Sequence, residues 1–343
     1  MIELASTTEK TVLLDPSGHR WEQVIEHRID PLTGTVASIN AALGEKAKAF
    51  LGAPDLDLLR DLGERSKATC PFCNASEKGT RYVPELEPGG QIRIGRALAI
   101  PNLFAKCGFD SVVIVDPSRH VVLPSEVRAE ALADALRVAA ELVRRARAHD
   151  PSRVHHVAGM NFLGPGGSSV PHPHFQVHVR SVPYSGVARA ARLAAEFRAR
   201  TGTSFFQALL DAERGGPRHV GRTGGVEWLA AFAPLHQKEI WGVLPGTASL
   251  AELSDAGADA FGTGLAKVLS SNEEDGAHPF TLAFHSTPDA DAGTWALHVK
   301  VCSRPAFRAQ IVNYDTWFAP MFVGDEVHTE APERYAERLR ARW

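Results

Sequence analysis

Imidazoles at every second position are the chemically richest feature of this sequence. In Pro171-His172-Pro173-His174-Phe175-Gln176-Val177-His178-Val179-Arg180, polar His172, His174, Gln176 and His178 alternate with Pro173, Phe175, Val177 and Val179. Strict alternation marks a strand with one buried face, because successive side chains of a strand point to opposite sides. The histidines and the carboxamide therefore share one side and the apolar set fills the other. Such a row makes a poor core and a good active-site floor, since a neutral imidazole can act as nucleophile, proton carrier or metal ligand. The plain alternative is a solvated edge strand with incidental histidines.

Two neighbouring stretches carry further chemistry. Thr69-Cys70-Pro71-Phe72-Cys73-Asn74 spaces two thiols as half of a tetrahedral zinc site. The chain has four cysteines and no second Cys-x-x-Cys, so the remaining ligands must be histidine or carboxylate. His120 and His172 are the candidates. A redox role lacks the strand-then-helix context of thioredoxin-like motifs. Asn161-Phe162-Leu163-Gly164-Pro165-Gly166-Gly167-Ser168-Ser169-Val170 is rich in Gly and Ser. A loop of this kind lets backbone N–H groups and hydroxyls approach a phosphate, although it is also simply a tight turn.

The elements that must position these residues follow a repeated plan. Residues 1 to about 65 read as a strand-and-turn opening, with a turn at Asp30-Pro31-Leu32-Thr33-Gly34. Ser111–Val115 reads as a strand ended by Asp116-Pro117. A helix follows from about Ser125 to Ala148, with Leu132, Leu136, Ala139 and Val143 on one face. A strand near Val154 to Ala158, the Gly-rich loop and the histidine strand complete the unit. A second unit comprises a strand at Lys238–Leu244, a helix around Ala251 to Leu269, a strand at Thr281–His285 and a histidine-bearing strand at Trp295–Val301. Strand, helix, strand, loop and His-bearing strand thus occur twice, which suggests an internal duplication sharing one sheet.

The 343 residues include 44% hydrophobic and 22% charged types, which predicts a packed globular chain. A net charge of −3, from 37 basic and 40 acidic residues, predicts neither a nucleic-acid partner nor a membrane surface. No apolar run of about 18 residues and no charged-then-apolar leader is present, so a soluble cytoplasmic location is expected. The few cysteines also suit a reducing compartment.

Taken together, these residues resemble the galactose-1-phosphate uridylyltransferase family, the transferase branch of the histidine-triad superfamily. The resemblance runs through Arg28–Gly34, Cys70-Pro71-Phe72-Cys73, Pro101–Ala105, the Asp-Pro-Ser-Arg-His turn ending at His120, and Asn161 through Gln176. In the second half it touches His285, His298, Val323–Glu326 and Tyr335–Arg340. It implies an α+β fold in which two histidine-triad-like halves, residues 1–186 and 187–343, form a mostly antiparallel sheet with helices outside. It also implies a double displacement. His174 would attack the α-phosphorus of a nucleotide sugar and hold a nucleotidyl group, which a phosphorylated acceptor then collects. Gln176 would donate to a phosphoryl oxygen; an amide cannot act as acid or base, so transfer is favoured over hydrolysis. Asn102, Asn161, Gly167, Ser168 and Ser169 would bind nucleotide and phosphate. Cys70, Cys73, His120 and His172 would form a closed structural zinc site, and a homodimer is implied.

Departures from the family pattern limit its reach. Phe175 replaces a glycine. Ala37–Leu43 stands where the resemblance implies phosphate-binding arginines, and the pattern leaves open whether Lys46 or Lys48 substitutes for them. A second metal site seen in some members would need a glutamate near Ala190 and an HxH pair, but the pair reads His298-Val299-Lys300; no iron is expected, and Lys300 stands near that position. Pro320–Glu326 departs from the hexose-recognising segment. The expected function is therefore nucleotidyl transfer between phosphorylated sugars or related metabolites. Its alternatives are a nucleotide-sugar or dinucleotide phosphorylase or pyrophosphohydrolase, or a catalytically silent nucleotide-binding homologue.

Overall fold

The computed structural model describes residues 2–44, 53–287, 293–309 and 317–343. Lys46 and Lys48 lie outside the described residues. Two sheets and the helices around them form an α+β architecture. The small sheet has the order β1 (Ser6–Leu14), β2 (Arg20–Ile29), β3 (Val36–Ile39) and β14 (Glu326–His328). The large sheet contains β4 (Ile92–Ile94), β5 (Ala97–Pro101), β6 (Phe109–Ile114), β7 (His155–Phe162), β8 (His174–Arg180), β9 (His219–Thr223), β10 (Val226–Ala230), β11 (Ile240–Leu244), β12 (Phe280–His285) and β13 (Leu297–Ser303).

Its ten strands lie in the order β4-β5-β6-β8-β7-β12-β13-β11-β10-β9. All neighbours described run antiparallel. The order after the central β7–β12 pair mirrors the order before it. The predicted strands all form, each shifted by a few residues; the histidine strand itself begins at His174 because Pro171 and Pro173 cannot donate to a ladder.

The opening is not all strand and turn as expected: α1 (Leu56–Lys67) occupies its end. Asp55 caps it, its side chain accepting from the Leu58 amide at 2.9 Å. The helix is amphipathic but mostly polar, and Leu59 is its fully buried side chain. The turn at residues 30–34 forms as expected: the Asp30 carboxylate accepts from the Leu32 and Thr33 amides at 3.0 and 2.6 Å.

One face of the large sheet is sealed by α2 (Ala129–His149) and α5 (Asp255–Glu274), which pack along each other. Leu132, Leu136, Ala139 and Val143 are fully buried there, as their spacing predicted. A Cβ on Gly262 would stand 2.5 Å from the Ala129 carbonyl oxygen, so this close helix contact requires glycine. Among the described residues, the opposite face is covered at its two ends. The Cys70–Ala75 segment packs Phe72 and Ala75 over β5 and β6. At the far end, α3 (Ser185–Thr201) and α4 (Phe205–Glu213) cover Leu229, Trp241, Val243 and Trp295. Between them lies a trough of polar, mostly half-buried side chains.

The C-terminal helix α6 (Pro332–Ala341) is tied to the end of α5 by Asp275. That carboxylate receives Arg338 at 2.8 and 3.0 Å, Arg342 at 2.9 Å and Lys238 at 3.1 Å. Burial alone would raise its pKa, but the cations win and hold it at about 2. A carboxyl depressed on folding stabilises above its unfolded pKa and loses that stabilisation as pH falls through the folded value. Asp275→Asn should therefore cost roughly 2 kcal/mol at pH 7. Thermal melts should show the deficit shrinking below about pH 4; a deficit independent of pH would assign the role to packing instead.

Candidate active site and metal centre

The trough floor is read directly from strand register. Gln176, Gly159, Ala283 and Lys300 stand opposite one another on successive strands. His178, Val157, His285 and His298 form a parallel row. Phe175, Val177 and Val179, on the other face of β8, are fully buried, whereas Gln176 and His178 are half-buried. The alternation thus places the polar row on the open side.

His174 lies at the head of this row. Its Nδ1–H donates to the His172 carbonyl at 2.8 Å, which fixes the tautomer and leaves Nε2 with its lone pair. Burial lowers its pKa, keeping the ring neutral. The Phe72 ring lies over it, centroids 4.8 Å apart. A neutral imidazole with one nitrogen anchored and the other unprotonated has the form a nucleophile requires. Gln176 follows on the same face, and its carboxamide makes no hydrogen bond among the described residues.

Asn161 is exposed at the end of β7, opposite Thr281. The Gly-rich loop packs tightly against β12: a Cβ on Gly166 would stand 2.6 Å from the Phe280 carbonyl oxygen. Gly167 has φ 86° and approaches Asn161. The Gly166, Gly167 and Ser168 amides are used inside the turn, donating to the Leu163 and Gly164 carbonyls. The Ser168 hydroxyl donates to the Val170 carbonyl at 2.8 Å. Ser169 is exposed, and its hydroxyl and amide make no hydrogen bond among the described residues. Asn102 turns into its own loop, donating to Asp110 at 3.2 Å and accepting from the Phe104 amide at 3.1 Å. Its side chain therefore shapes the rim. Residues of the second half hold the Gly-rich loop in ways no motif signalled. Thr281 Oγ1 donates to the Gly166 carbonyl at 3.1 Å, and Arg304 Nε donates to the Pro165 carbonyl at 3.2 Å.

The candidate metal ligands converge. Ligand atoms of Cys70, Cys73, His120 and His172 all lie within 4.8 Å of one another. Cys70 Sγ and Cys73 Sγ are 3.5 and 3.6 Å from His172 Nδ1, and Cys73 Sγ is 3.5 Å from His120 Nδ1. Bond lengths of a tetrahedral zinc site imply sulfur–nitrogen edges of about 3.6 Å. Each histidine is also aimed. His172 Nε2 donates to the Asp116 carbonyl at 3.0 Å. His120 Nε2 lies 2.9 Å from the Ser66 hydroxyl, which itself donates to the Gly63 carbonyl. Both arrangements present an unprotonated Nδ1 to the centre. Burial, helped by the neighbouring His120 and His174 and only partly opposed by Asp116, takes the His172 pKa down to about 4, and burial plus the adjacent Cys70 push the Cys73 thiol up to about 11. Two sulfurs this close become thiolates together only with a cation between them. The donor set fits a divalent metal, with no coordination position left open.

The remaining histidines divide by environment. His156 is a core residue, its ring bonded to the Val154 carbonyl at 2.8 Å and to the Ser249 and Ser286 hydroxyls at 3.0 and 2.7 Å. His298 repeats the His174 geometry, with Nδ1 on the Ala296 carbonyl at 2.8 Å. It is stacked on His285 at 4.8 Å and enclosed by Phe206 and Trp295. Lys300 lies over the Trp241 ring at 4.0 Å, with Glu239 at 3.8 Å. His178, half-buried in the trough, was given no role by its type, although the alternation had already placed it there.

No protein-family model matches the chain. A protein of Archaeoglobus fulgidus described as uncharacterized is 28% identical over 324 residues, covering 94% of this chain and 93% of its own. Among solved structures, an ADP-glucose phosphorylase from Arabidopsis thaliana with bound ADP-glucose superposes with a TM-score of 0.71 at 18% identity, covering 92% of this chain and 98% of that one. A GalT-like protein from the same organism gives 0.65 at 19% identity, with 79% and 91% covered. A uridylyltransferase gives 0.64 at 18% identity, with 73% and 85% covered. At such identities the likeness establishes a shared fold.

Proposed function

We propose that this chain, which has the fold of those uridylyltransferase and phosphorylase structures, is a nucleotidyltransferase of the galactose-1-phosphate uridylyltransferase-like family. It moves a nucleoside monophosphate between phosphorylated sugars or related metabolites through a covalent nucleotidyl-His174 intermediate. The observation that carries this reading is the His174 ring, anchored through Nδ1 at 2.8 Å with Nε2 unprotonated, at the head of the polar face of β8.

In the first step His174 Nε2 forms a bond to the α-phosphorus, and the bond from that phosphorus to the oxygen of the departing phosphorylated sugar breaks. In the second step an acceptor phosphate oxygen attacks the same phosphorus and the N–P bond breaks. Gln176 and Asn161, on the face that carries His174, donate hydrogen bonds to the phosphoryl oxygens as charge shifts onto them. Ser169, exposed in the loop, supplies further donors, and Ser168 and Gly167 shape the phosphate cradle. Asn102 supports the nucleoside rim, where Leu103 and Phe104 are exposed. Cys70, Cys73, His120 and His172 hold zinc, whose role in a closed site is structural. The chain is read as two halves, residues 1–186 and 187–343, acting in the cytoplasm as a homodimer. The single turn Ala319–Val323 exposes Phe318, Met321 and Phe322, an apolar cluster suited to a second copy.

Intact mass after mixing with UDP-, ADP-, GDP- and CDP-linked sugars tests the chemistry. One donor should add a nucleoside monophosphate to the protein; no gain with any donor sinks the covalent mechanism. The likeness to the phosphorylase, at TM-score 0.71, motivates a second reading in which inorganic phosphate collects the nucleotide. Chasing the loaded protein with phosphate or with a sugar 1-phosphate separates the two. Gln176→His should shift the balance toward water, since an imidazole can exchange a proton where an amide cannot. Release of nucleoside monophosphate without acceptor should rise at least about tenfold; an unchanged rate would remove Gln176 from the phosphoryl site.

A further inference from the structure

We propose that His178 is a positioning residue for the nucleoside, holding through Asp110 the rim loop against which the base lies; this rests on the nucleotide-binding reading above. Asp110 follows that loop and stands directly opposite His178 in the β6–β8 register. Its side chain is 0% exposed. One carboxylate oxygen gathers the loop, accepting from Asn102 Nδ2 at 3.2 Å and from the Lys106 amide at 2.8 Å. Its backbone carbonyl takes the Asn102 amide at 2.9 Å.

Among the described residues the other oxygen, Oδ1, has no hydrogen bond and lies 3.5 Å from His178 Nε2, a nitrogen that is likewise buried without a partner. His178 Nδ1 meets the Tyr184 hydroxyl at the entry to α3. With Tyr184 donating to Nδ1, Nε2 carries the hydrogen and stands 3.5 Å from Oδ1. Two orphaned buried atoms thus stand just outside good bonding distance, and a small inward movement of the rim pairs both.

What would press the rim inward is also on the surface. The loop bears Leu103 and Phe104, 72% and 81% exposed, large apolar side chains suited to the flat face of a base. His178, Gln176 and His174 share one face at two-residue steps, so the nucleophile lies about 13 Å along the strand from His178. A base at the rim and an α-phosphorus at His174 are the two ends of one extended nucleotide. Binding closes the Asp110–His178 gap, and the rim then fits one base better than others.

Calorimetric titration of AMP, UMP, GMP and CMP into the wild type, His178→Leu, His178→Gln and Tyr184→Phe tests this, with His174 loading followed separately by mass. Leucine should weaken the preferred nucleotide at least about tenfold and flatten the preference among the four, with loading at saturating donor within about threefold of wild type. Glutamine can accept from Tyr184 and donate to Asp110, so it should stay within about threefold of wild type. Tyr184→Phe should fall between. A folded leucine variant with unchanged affinity and preference overturns the assignment, as does glutamine proving as harmful as leucine. Should the leucine variant not fold, the glutamine and Tyr184→Phe titrations carry the test. If the wild type binds nucleotide in a His178-dependent way but is never loaded at His174, the covalent mechanism fails and the positioning role stands. If it is loaded while the His178 variants bind normally, only the positioning role fails.

Discussion

Replacing His174 with asparagine should abolish covalent loading and lower turnover on the order of 10⁴-fold or more, about 5.5 kcal/mol of transition-state stabilisation. Asparagine is the informative replacement because its amide N–H can still reach the His172 carbonyl that now receives Nδ1–H at 2.8 Å. The variant keeps the anchor and loses only the nucleophilic nitrogen. Folding should survive, since the ring's main apolar contact is with Phe72 at 4.8 Å and the core face of β8 is untouched. Turnover and intact mass should fall together while thermal melting stays within a few degrees. Full turnover by the asparagine variant would mean that another group carries the nucleotide or that none does.

The metal centre should prove nearly as costly to lose, for a reason visible in its connections. His172, whose Nδ1 faces the two sulfurs, also supplies the carbonyl that fixes the His174 tautomer. Phe72, between the two cysteines, is the ring that lies over His174. An ion held by Cys70, Cys73, His120 and His172 therefore fixes both the floor and the roof of the nucleophile. Protein purified without chelator should carry zinc, one ion per chain. Cys73→Ser should destabilise by at least about 5 kcal/mol, part of the roughly 10–16 kcal/mol that closed zinc sites supply in small domains. That corresponds to a melting point lowered by about 10 °C or more. Turnover should drop beyond the 10- to 100-fold typical of disturbed metal surroundings, about two decades or more. A metal-free protein of full activity would reduce the cluster to four packed side chains.

The residues that could be placed in advance share a physical property: their role follows from near neighbours in the chain. Alternation along residues 171–180 decides which side chains of β8 share a face, whatever the sheet around it. The spacing of Leu132, Leu136, Ala139 and Val143 likewise commits one face of a helix to a core, and all four are buried as that pattern requires. Helix α1 departs from the strand-and-turn plan of the opening, and its tie to the core rests on Leu59, its fully buried side chain, whose partners lie far along the chain. The roles of Asn102 and Ser168 were harder still. Both are types that suit phosphate or nucleotide, but their side chains are partly taken by Asp110 and by the Val170 carbonyl, partners that depend on how each loop folds back.

Residue types and short-range spacing thus settled that this chain holds a histidine-bearing strand with an apolar back, a pair of thiols set for a metal, and two successive units of similar plan. Convergence came from elsewhere. Cys70 and His172 meet across 102 positions of sequence, and Thr281 reaches Gly166 across 115, distances over which no periodicity carries information. Strand order brings them together: placing β8 beside β6 and β7 beside β12 is a choice made by burying apolar surface over the whole sheet. The same choice sets His174 beneath Phe72 with a small exposed fraction of 7% and encloses its counterpart His298, at 2%, beneath Phe206 and Trp295. A local sequence pattern fixes which way a side chain faces; only the packing of distant segments fixes what it faces.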